Sequence, residues 1–156
     1  MRPFLFKALI NLYPPYLGAG IRVTHVSSDY RNLSVRMKLR FYNRNYVGTH
    51  FGGSLYAMID PFYMLMLMQV LGRAYIVWDK SATIEFKKPG RGKVSADFHL
   101  PDQVIEDIHN QTTAGAKYEP QFRVDITDED EELVARGFKT LYIRSKDIPG
   151  GNAAQG

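Results

Sequence analysis

The stretch NYVGTHFGGSLYAMIDP, residues 45–61, combines two glycines with the start of the most apolar run in the chain. Small residues at a helix start leave backbone N–H groups accessible, so Gly52 and Gly53 indicate a helix that begins facing a ligand. The same run contains Asp60 directly followed by Pro61, which is a costly pair inside a buried helix. The stretch therefore predicts a buried helix whose carboxylate has a chemical role.

Two interpretations of the Asp60–Pro61 pair are open. Asp60 could be the N-cap of a later helix whose first residue is Pro61. Alternatively, one helix over residues 53–72 is kinked at Pro61, because proline has no N–H to donate to the carbonyl of Ala57. We favour the kinked helix, since a non-helical approach segment would leave buried backbone groups without partners.

The composition is that of one globular domain. The chain has 156 residues, of which 45% are hydrophobic and 23% charged, enough for a single core. We assign residues 1–147 to this domain, with an amphipathic docking helix over residues 1–17 and a disordered tail over residues 148–156. The absence of cysteine excludes disulfides, a thiol nucleophile and thiolate metal sites, and is consistent with a cytoplasmic location.

The net charge of +4 favours anionic partners but does not identify one. Arg36, Lys38 and Arg40 alternate with apolar residues, which is typical of a strand with one solvated face, and no nucleic-acid partner is expected. The apolar run reaches membrane-spanning length, but Asp60 within it favours a buried helix, so no membrane span is expected. The four histidines lack metal-ligand spacing, so no metal is expected.

Segments in which apolar and polar residues alternate, separated by turn residues, predict the rest of the fold. Residues 21–26 and 33–41 form a hairpin across the turn SSDYRN, and Phe41 is the last residue of its apolar face. Residues 75–88 and 92–100 form a second hairpin across PGRG, followed by a short helix at 101–111 and strands at 117–127 and 133–144. This order predicts an α+β fold in which an antiparallel sheet curls around one long central helix.

The spacing of Asn45, Gly48, Phe51-Gly52-Gly53 and Asp60 resembles a family pattern. Hot-dog-fold acyl-CoA thioesterases of the phenylacetate and 4-hydroxybenzoyl-CoA type have Asn-x-x-Gly-x-x-His-Gly-Gly and then an acidic residue within the following helix. The resemblance extends in element order over residues 20–144. The chain has Phe51 where many members have histidine, so it resembles an uncharacterised thioesterase-like branch with Phe-Gly-Gly.

The resemblance implies a hot-dog fold, a homodimer or alternatively a tetramer, and hydrolysis of an acyl thioester. Asp60 would then be the general base or the nucleophile, and Asn45 would orient water or the carbonyl. Independently of the family, the N–H groups of Gly52 and Gly53 at a helix start suit a developing oxyanion. Coenzyme A enters only as part of the substrate, so no separate cofactor is expected.

Several further residues are candidates for substrate binding. Methionines in the apolar run fill the core or line an acyl pocket, and the basic turn either meets coenzyme A phosphates or is a solvated hairpin. Asn45 itself is equally suited to holding a turn. The candidates are Thr49, His50, Phe51, Met64, Asp79, Ser81, Lys87, Lys88 and Arg91. The alternative function, a non-catalytic acyl or acyl-CoA binding protein on the same scaffold, is supported by Phe51.

Overall fold

A computed structural model describes residues 2–146 of the chain. The predicted tail over residues 148–156 lies outside the described residues. The helices are α1 (Pro3–Asn11), α2 (Pro14–Ala19), α3 (Gly52–Ile59), α4 (Phe62–Leu71) and α5 (Asp102–Gln111). The strands are β1 (Ile21–Val26), β2 (Asn32–Lys38), β3 (Tyr75–Phe86), β4 (Lys93–His99), β5 (Lys117–Tyr118), β6 (Gln121–Thr127) and β7 (Leu133–Ser145).

The strands form one antiparallel sheet in the order β1-β2-β4-β6-β7-β3, with β5 also paired to β7. Helices α3 and α4 lie against its inner face, where Met58, Ile59, Phe62, Met66 and Leu67 have no exposed surface. Each strand contributes alternate residues to this core, as a sheet with one covered face requires. The predicted α+β fold, an antiparallel sheet around a central helix, is confirmed.

The central helix is interrupted where Asp60 and Pro61 were expected to kink it. Helix α3 ends at Ile59, Asp60 is extended (φ −105°, ψ 131°), and the Asp60–Pro61 peptide is cis. The interruption thus goes further than a kink, yet the residues before Asp60 are helical and not an approach segment. The stretch Gly52–Ala74 is long and apolar enough to span a membrane, but here its buried side chains pack against the inner face of the sheet.

The predicted pairing of residues 75–88 with 92–100 is wrong. Strand β3 pairs with β7, and β4 lies between β2 and β6. The PGRG segment therefore crosses between distant strands. Turn residues mark where a chain changes direction, but they do not select which strand becomes the partner. As a result, β3 lies at one edge of the sheet and β1 at the other.

The strand predicted over residues 33–41 ends at Lys38, and Phe41 is 86% exposed. The side chain of Asn43 explains this early end. Its Nδ2 donates to the carbonyls of Lys38 and Ala19, and its Oδ1 accepts from the N–H of Arg40. These bonds turn the chain away from the sheet.

Two helices occupy the N-terminal segment, because Pro14 begins α2 and does not merely stop α1. Helix α1 packs along the edge strand β1. The side-chain amide of Asn11 both donates to and accepts from the backbone of Val23, and Lys7 donates to the carbonyl of Thr24. These bonds occupy part of an edge that would otherwise be open to pairing.

Candidate functional site

Asp60 lies in a charged cluster centred on a buried lysine. The Nζ of Lys139 donates a hydrogen bond to Oδ1 of Asp60 and lies 3.0 Å from Oδ1 of Asp79. The side chain of Lys139 is 1% exposed, whereas that of Asp60 is 38% exposed. We call Asp60, Asp79 and Lys139 the Asp60 cluster. One carboxylate of this cluster therefore reaches solvent while its counter-ion is buried.

The sheet places the two partners of Asp60. Strand β7 buries alternate residues, and Lys139 lies on its apolar face between Gly137 and Leu141. In β3 the register against β7 shifts between Asp79 and Ser81, which makes Lys80 the extra residue of a bulge.

The bulge decides which β3 side chains face the helix. Asp79 lies opposite Leu141 and Ala82 lies opposite Lys139, so both face inward although three positions separate them. Ser81 lies opposite Thr140 and faces outward. The structure therefore brings Asp79 to Asp60 and places Ser81 on the other face of the sheet, away from the predicted site.

Burial and charge act in opposite directions on this cluster. Burial lowers the pKa of Lys139, but the hydrogen bond with Asp60 and the contact with Asp79 raise it more, so its pKa lies above the usual value. Burial raises the pKa of Asp79, Lys139 lowers it, and the charge of Asp60 raises it again, leaving its pKa above the usual range. Lys139 is consequently a permanent cation held against Asp60.

Two tyrosines complete the surroundings of the cluster. The hydroxyl of Tyr16 donates to the backbone carbonyl of Asp60, and its ring stacks on Phe62 at 5.6 Å between centroids. Burial, and then the charge of Asp60, raise the pKa of Tyr16 far above its usual value, so it stays a neutral donor. The ring of Tyr56 lies 6.0 Å from Nζ of Lys139.

A second group of predicted residues surrounds the start of α3. They line a cleft of about 440 Å³, which we call the helix-start cleft; its walls include Asn45, Thr49, His50, Gly52, Lys87 and Lys88. The N–H groups of Gly52 and Gly53 donate to no acceptor within residues 2–146. Free N–H groups at the positive end of a helix are suited to an oxyanion or another acceptor.

Aromatic rings lie against both glycines. A Cβ on Gly53 would be 2.4 Å from the ring of Phe51, and a Cβ on Gly52 would be 3.0 Å from the ring of Phe86. These rings are 55% and 57% exposed, so they cover the helix start without being fixed in the core. Phe51, which replaces the family histidine, thus packs over the helix start it precedes.

The side chain of Asn45 holds the loop before α3. Its Nδ2 donates to Oγ1 of Thr49 and to the carbonyl of His50, and its Oδ1 accepts from the N–H of Thr49. Both amide hydrogens are therefore in use. This arrangement matches the turn-holding role, and the loop must open before Asn45 can donate to a substrate.

His50 is buried beside the cleft and is 2% exposed. Its Nε2 lies 3.1 Å from the carbonyl of Gly92, while its Nδ1 has no hydrogen-bond partner within the described chain. Burial lowers the pKa of His50. A neutral ring that donates from Nε2 fits this environment.

The basic turn divides into paired and unpaired cations. Lys88 binds Asp128 and Glu132, and Lys87 lies 2.5 Å from Glu85. Arg91 makes no ion pair among the described residues and borders a separate surface cleft. Lys88 therefore forms ion pairs with neighbouring carboxylates, whereas Arg91 is the unpaired cation of the turn among the described residues.

The two groups of predicted residues do not meet within one chain. Helix α3 has eight residues, so its start and Asp60 are about 12 Å apart. Met64 is partly buried against the core, away from the helix-start cleft. Among the described residues no three His, Cys, Asp or Glu side chains are grouped to hold a metal.

Sequence reasoning missed Lys139 and Tyr16. Lys139 had a signal, because a lysine occupies the apolar face of a strand whose other inward residues are Ala135, Gly137, Leu141 and Ile143. A charge at such a position requires a buried partner. Tyr16 had no comparable signal, since its contact with Asp60 spans 44 positions.

Comparisons with known proteins locate the chain among hot-dog-fold proteins. The family described as "Domain of unknown function (DUF4442)" matches residues 3–143, while no curated protein matches. Three similar solved structures, each below 25% identity and thus informative about fold alone, bear thioesterase descriptions. A protein of Pseudomonas aeruginosa described as of unknown function and a probable thioesterase has 20% identity and a TM-score of 0.80, with 93% of this chain and 97% of its own covered.

Two further structures agree with this fold. A thioesterase of Haemophilus influenzae has 15% identity and a TM-score of 0.68, with 93% of this chain and 92% of its own covered. Thioesterase superfamily member 2 of Mus musculus has 16% identity and a TM-score of 0.65, with 90% and 96% covered. The predicted hot-dog fold is confirmed, and the resemblance to thioesterases is confirmed at the level of the fold.

Proposed function

The chain belongs to the DUF4442 family, a domain of unknown function, and we propose that it hydrolyses an acyl thioester, with acyl-CoA as the first substrate class to test. The observation that carries this proposal is the carboxylate of Asp60, half-exposed and held by the buried Lys139 on a thioesterase-like fold. A fixed, charged carboxylate that reaches solvent suits a general base.

The proposed chemistry has three parts. Asp60 takes a proton from water, and the oxygen of that water attacks the thioester carbon. The N–H groups of Gly52 and Gly53 at the start of α3 donate to the oxyanion that forms. The carbon–sulfur bond then breaks, and the proton held by Asp60 passes to the leaving sulfur. The carboxylic acid product loses its remaining proton to solvent and leaves as a carboxylate. A direct attack by Asp60 on the carbon is the alternative first step.

A second copy of the chain would bring the parts together. Within one copy, the start of α3 and Asp60 are about 12 Å apart, which is too far for one thioester carbon to contact both. Strand β3 is twelve residues long, and among residues 2–146 it pairs with β7 on one side and with no strand on the other. An open edge of this length is suited to pairing with its own copy about a two-fold axis.

The test is turnover of a panel of aliphatic and aromatic acyl-CoAs by the purified chain. We expect Asp60→Asn to lower kcat by about a hundredfold or more, because a general base contributes that much to such reactions. Glu106→Gln, which alters an exposed carboxylate on α5, is the matched control and should retain full activity. Hydrolysis that survives Asp60→Asn unchanged would exclude Asp60 from the mechanism.

Mixing two inactive variants tests whether the site is shared between copies. Asp60→Asn removes the base, and Gly52→Val fills the helix start. If each site takes Asp60 from one copy and Gly52 from the other, half of the sites in a mixed dimer are intact. Random reassociation then restores about a quarter of the wild-type rate. If mixing restored no detectable activity, Asp60 and Gly52 of each site would come from the same copy.

A second candidate function is non-catalytic binding of an acyl or acyl-CoA ligand. The rings of Phe51 and Phe86 against the two helix-start glycines favour it, because they lie where a carbonyl would approach. Calorimetry with non-hydrolysable acyl-CoA thioethers distinguishes the candidates. Binding together with no turnover on the whole panel would support the binder and refute the hydrolase. A cytoplasmic location and a tetrameric assembly stay predictions.

A further inference from the structure

The N-terminal part of the chain is strongly basic compared with the rest. Residues 1–59 contain eight Lys or Arg and a single acidic residue, Asp29, whereas residues 60–156 contain twelve Lys or Arg and fifteen Asp or Glu. The fold gathers several of these N-terminal cations on one side of the sheet. Such an asymmetry indicates a surface for an anionic partner.

Five cations line one cleft of about 650 Å³ at the β1 edge of the sheet; they are Arg22, Arg36, Lys38, Arg40 and Lys93. No acidic side chain of the described residues lines it. Lys93 lies 3.2 Å from Glu129, but the other four make no ion pair within residues 2–146. Unpaired cations concentrated in one concave surface attract anions over a distance of about 8 Å at physiological salt.

Exposed apolar side chains border the same cleft. Leu17, Phe41 and Tyr42 line it and are 51%, 86% and 50% exposed. Helix α1, which packs along the adjoining strand β1, and its C-cap residue Leu12 turn a further set outward. These side chains are between 47% and 81% exposed: Phe4, Leu5, Leu9 and Leu12. With Ala8, these residues occupy one continuous face at helical spacing. An apolar face of this kind is unusual on a soluble surface without a partner.

We propose that this surface, formed by the outward face of α1 and the basic cleft, binds the surface of an anionic lipid bilayer. Exposed Phe and Leu side chains on a helix enter the headgroup region, and adjacent lysines and arginines bind anionic headgroups. The arrangement has both parts of such a surface on one edge of the fold. The surface lies at the β1 edge, opposite the β3 edge, so pairing through β3 leaves it accessible.

Charge and chemistry argue against the other occupants. A second copy seated on this surface would bring two sets of unpaired cations together with almost no counter-charge in either N-terminal part. Nucleic acid would satisfy the cations but leave the leucine and phenylalanine side chains of α1 in water. A bilayer with anionic headgroups matches both.

Cosedimentation with vesicles tests the proposal without any requirement for turnover. We expect the full chain to bind phosphatidylcholine vesicles that contain phosphatidylglycerol, and to bind pure phosphatidylcholine vesicles much more weakly. Arg36→Glu/Lys38→Glu should weaken binding roughly tenfold or more, since each basic residue near the surface contributes to binding. Leu9→Ser should weaken vesicle binding at low and at high salt, because salt does not screen the burial of an apolar side chain. Arg73→Glu and Met68→Ser, at exposed positions elsewhere, are the matched controls.

A fluorescence measurement checks insertion directly. The chain has one tryptophan, Trp78, so Trp78→Phe combined with Leu9→Trp reports on α1 alone. Its emission should shift to shorter wavelength when anionic vesicles are added. Circular dichroism and melting temperature verify that each variant folds.

Four results would overturn the proposal. The first is that the chain binds no vesicle, and the second is that Arg36→Glu/Lys38→Glu and Leu9→Ser both bind vesicles as the wild type does. The third is that the chain binds DNA but not vesicles. The fourth is that Leu9→Ser changes the oligomeric mass. The last result would assign the face to contact between copies. Loss of vesicle binding in the surface variants alone, with the controls unchanged, supports it.

Discussion

The helix-start cleft and the Asp60 cluster lie at opposite ends of the same short helix, and they are built differently. In the cleft, Asn45 bonds to residues four and five positions away, and the rings of Phe51 and Phe86 at the helix start are more than half exposed. In the cluster, Asp60 and Lys139 are joined across 79 positions, and the lysine cannot reach water. The cleft is thus adaptable, whereas the cluster is rigid.

This difference assigns the two ends different duties in the proposed hydrolysis. A group that must hold one position is best surrounded by packed residues, as Asp60 is by Lys139 and Tyr16. A surface that must admit substrate is better lined by side chains that can rotate, as Phe51 and Phe86 can. Substitutions should therefore affect stability strongly at the cluster and weakly at the cleft.

The largest effect is expected for Lys139→Met. This change leaves Asp60 and Asp79 close together without their buried cation, so we expect a loss of about 3 kcal/mol in unfolding free energy. Urea unfolding followed by circular dichroism measures it. Lys117→Met, which alters a lysine that is 68% exposed, should change stability by less than about 0.5 kcal/mol.

A double variant separates the ion pair from simple packing. Asp60→Asn/Lys139→Met removes one charge along with its partner, so it should cost clearly less than the sum of the two single losses. If the two losses in unfolding free energy were additive, Lys139 would only fill space. The cluster would then not be held together by its ion pair, and the proposed contrast with the cleft would be wrong.

A smaller effect on the unfolding free energy is expected from a methyl group added to one glycine near each end of α3: Gly137 near the Asp60 cluster and Gly53 near the helix-start cleft. A Cβ on Gly137 would lie 2.3 Å from Cδ1 of the fully buried Ile59, where α3 crosses β7. We expect Gly137→Ala to lower the unfolding free energy by about 2 kcal/mol, because a packed core must shift. Gly53→Ala meets only the exposed ring of Phe51, so its effect should stay within about 0.5 kcal/mol.

Two controls sharpen this pair. Gly18→Ala, on α2, places its Cβ in open space and should be neutral or slightly stabilising. Ile59→Val removes the clashing Cδ1, so Gly137→Ala/Ile59→Val should lose less than the sum of the single changes. Equal losses for Gly137→Ala and Gly53→Ala would remove the contrast between the two regions.

The sequence was sufficient for the fold class and for features that depend on neighbours along the chain. The apolar run predicted the central helix, and the Asp60–Pro61 pair marked where it is interrupted. Contacts between distant segments were not accessible in the same way. Turn residues could not show that β3 joins β7, so Asp79 could not be placed beside Lys139.

One local irregularity also hid part of the site. The bulge at Lys80 reverses which β3 side chains face inward, and a regular alternation through this strand cannot place Asp79 and Ala82 on one face. Ser81 was therefore expected near Asp79 but faces outward. A bulge depends on the partner strand as much as on its own residues, which is why the sequence alone did not reveal it.

The smallest predicted effect concerns pH and the cleft. Burial holds the pKa of His50 below the usual 6.5, so the unfolded chain binds more protons at mildly acidic pH. The contribution of neutral His50 to the unfolding free energy is then fully present above pH 6.5. It is lost as the pH falls towards the folded-state pKa of His50. We expect unfolding free energy to decline over that range, with a slope from this residue of at most about 1.4 kcal/mol per pH unit.

His50→Gln should flatten this decline, because glutamine does not titrate and can still donate to the carbonyl of Gly92. His25→Gln, at an exposed position on β1, should leave the decline as it is. Unfolding curves at several pH values between neutrality and pH 5 compare the three proteins. If His50→Gln retained the wild-type slope, the folded and unfolded chains would bind protons at His50 equally, and burial would not lower its pKa.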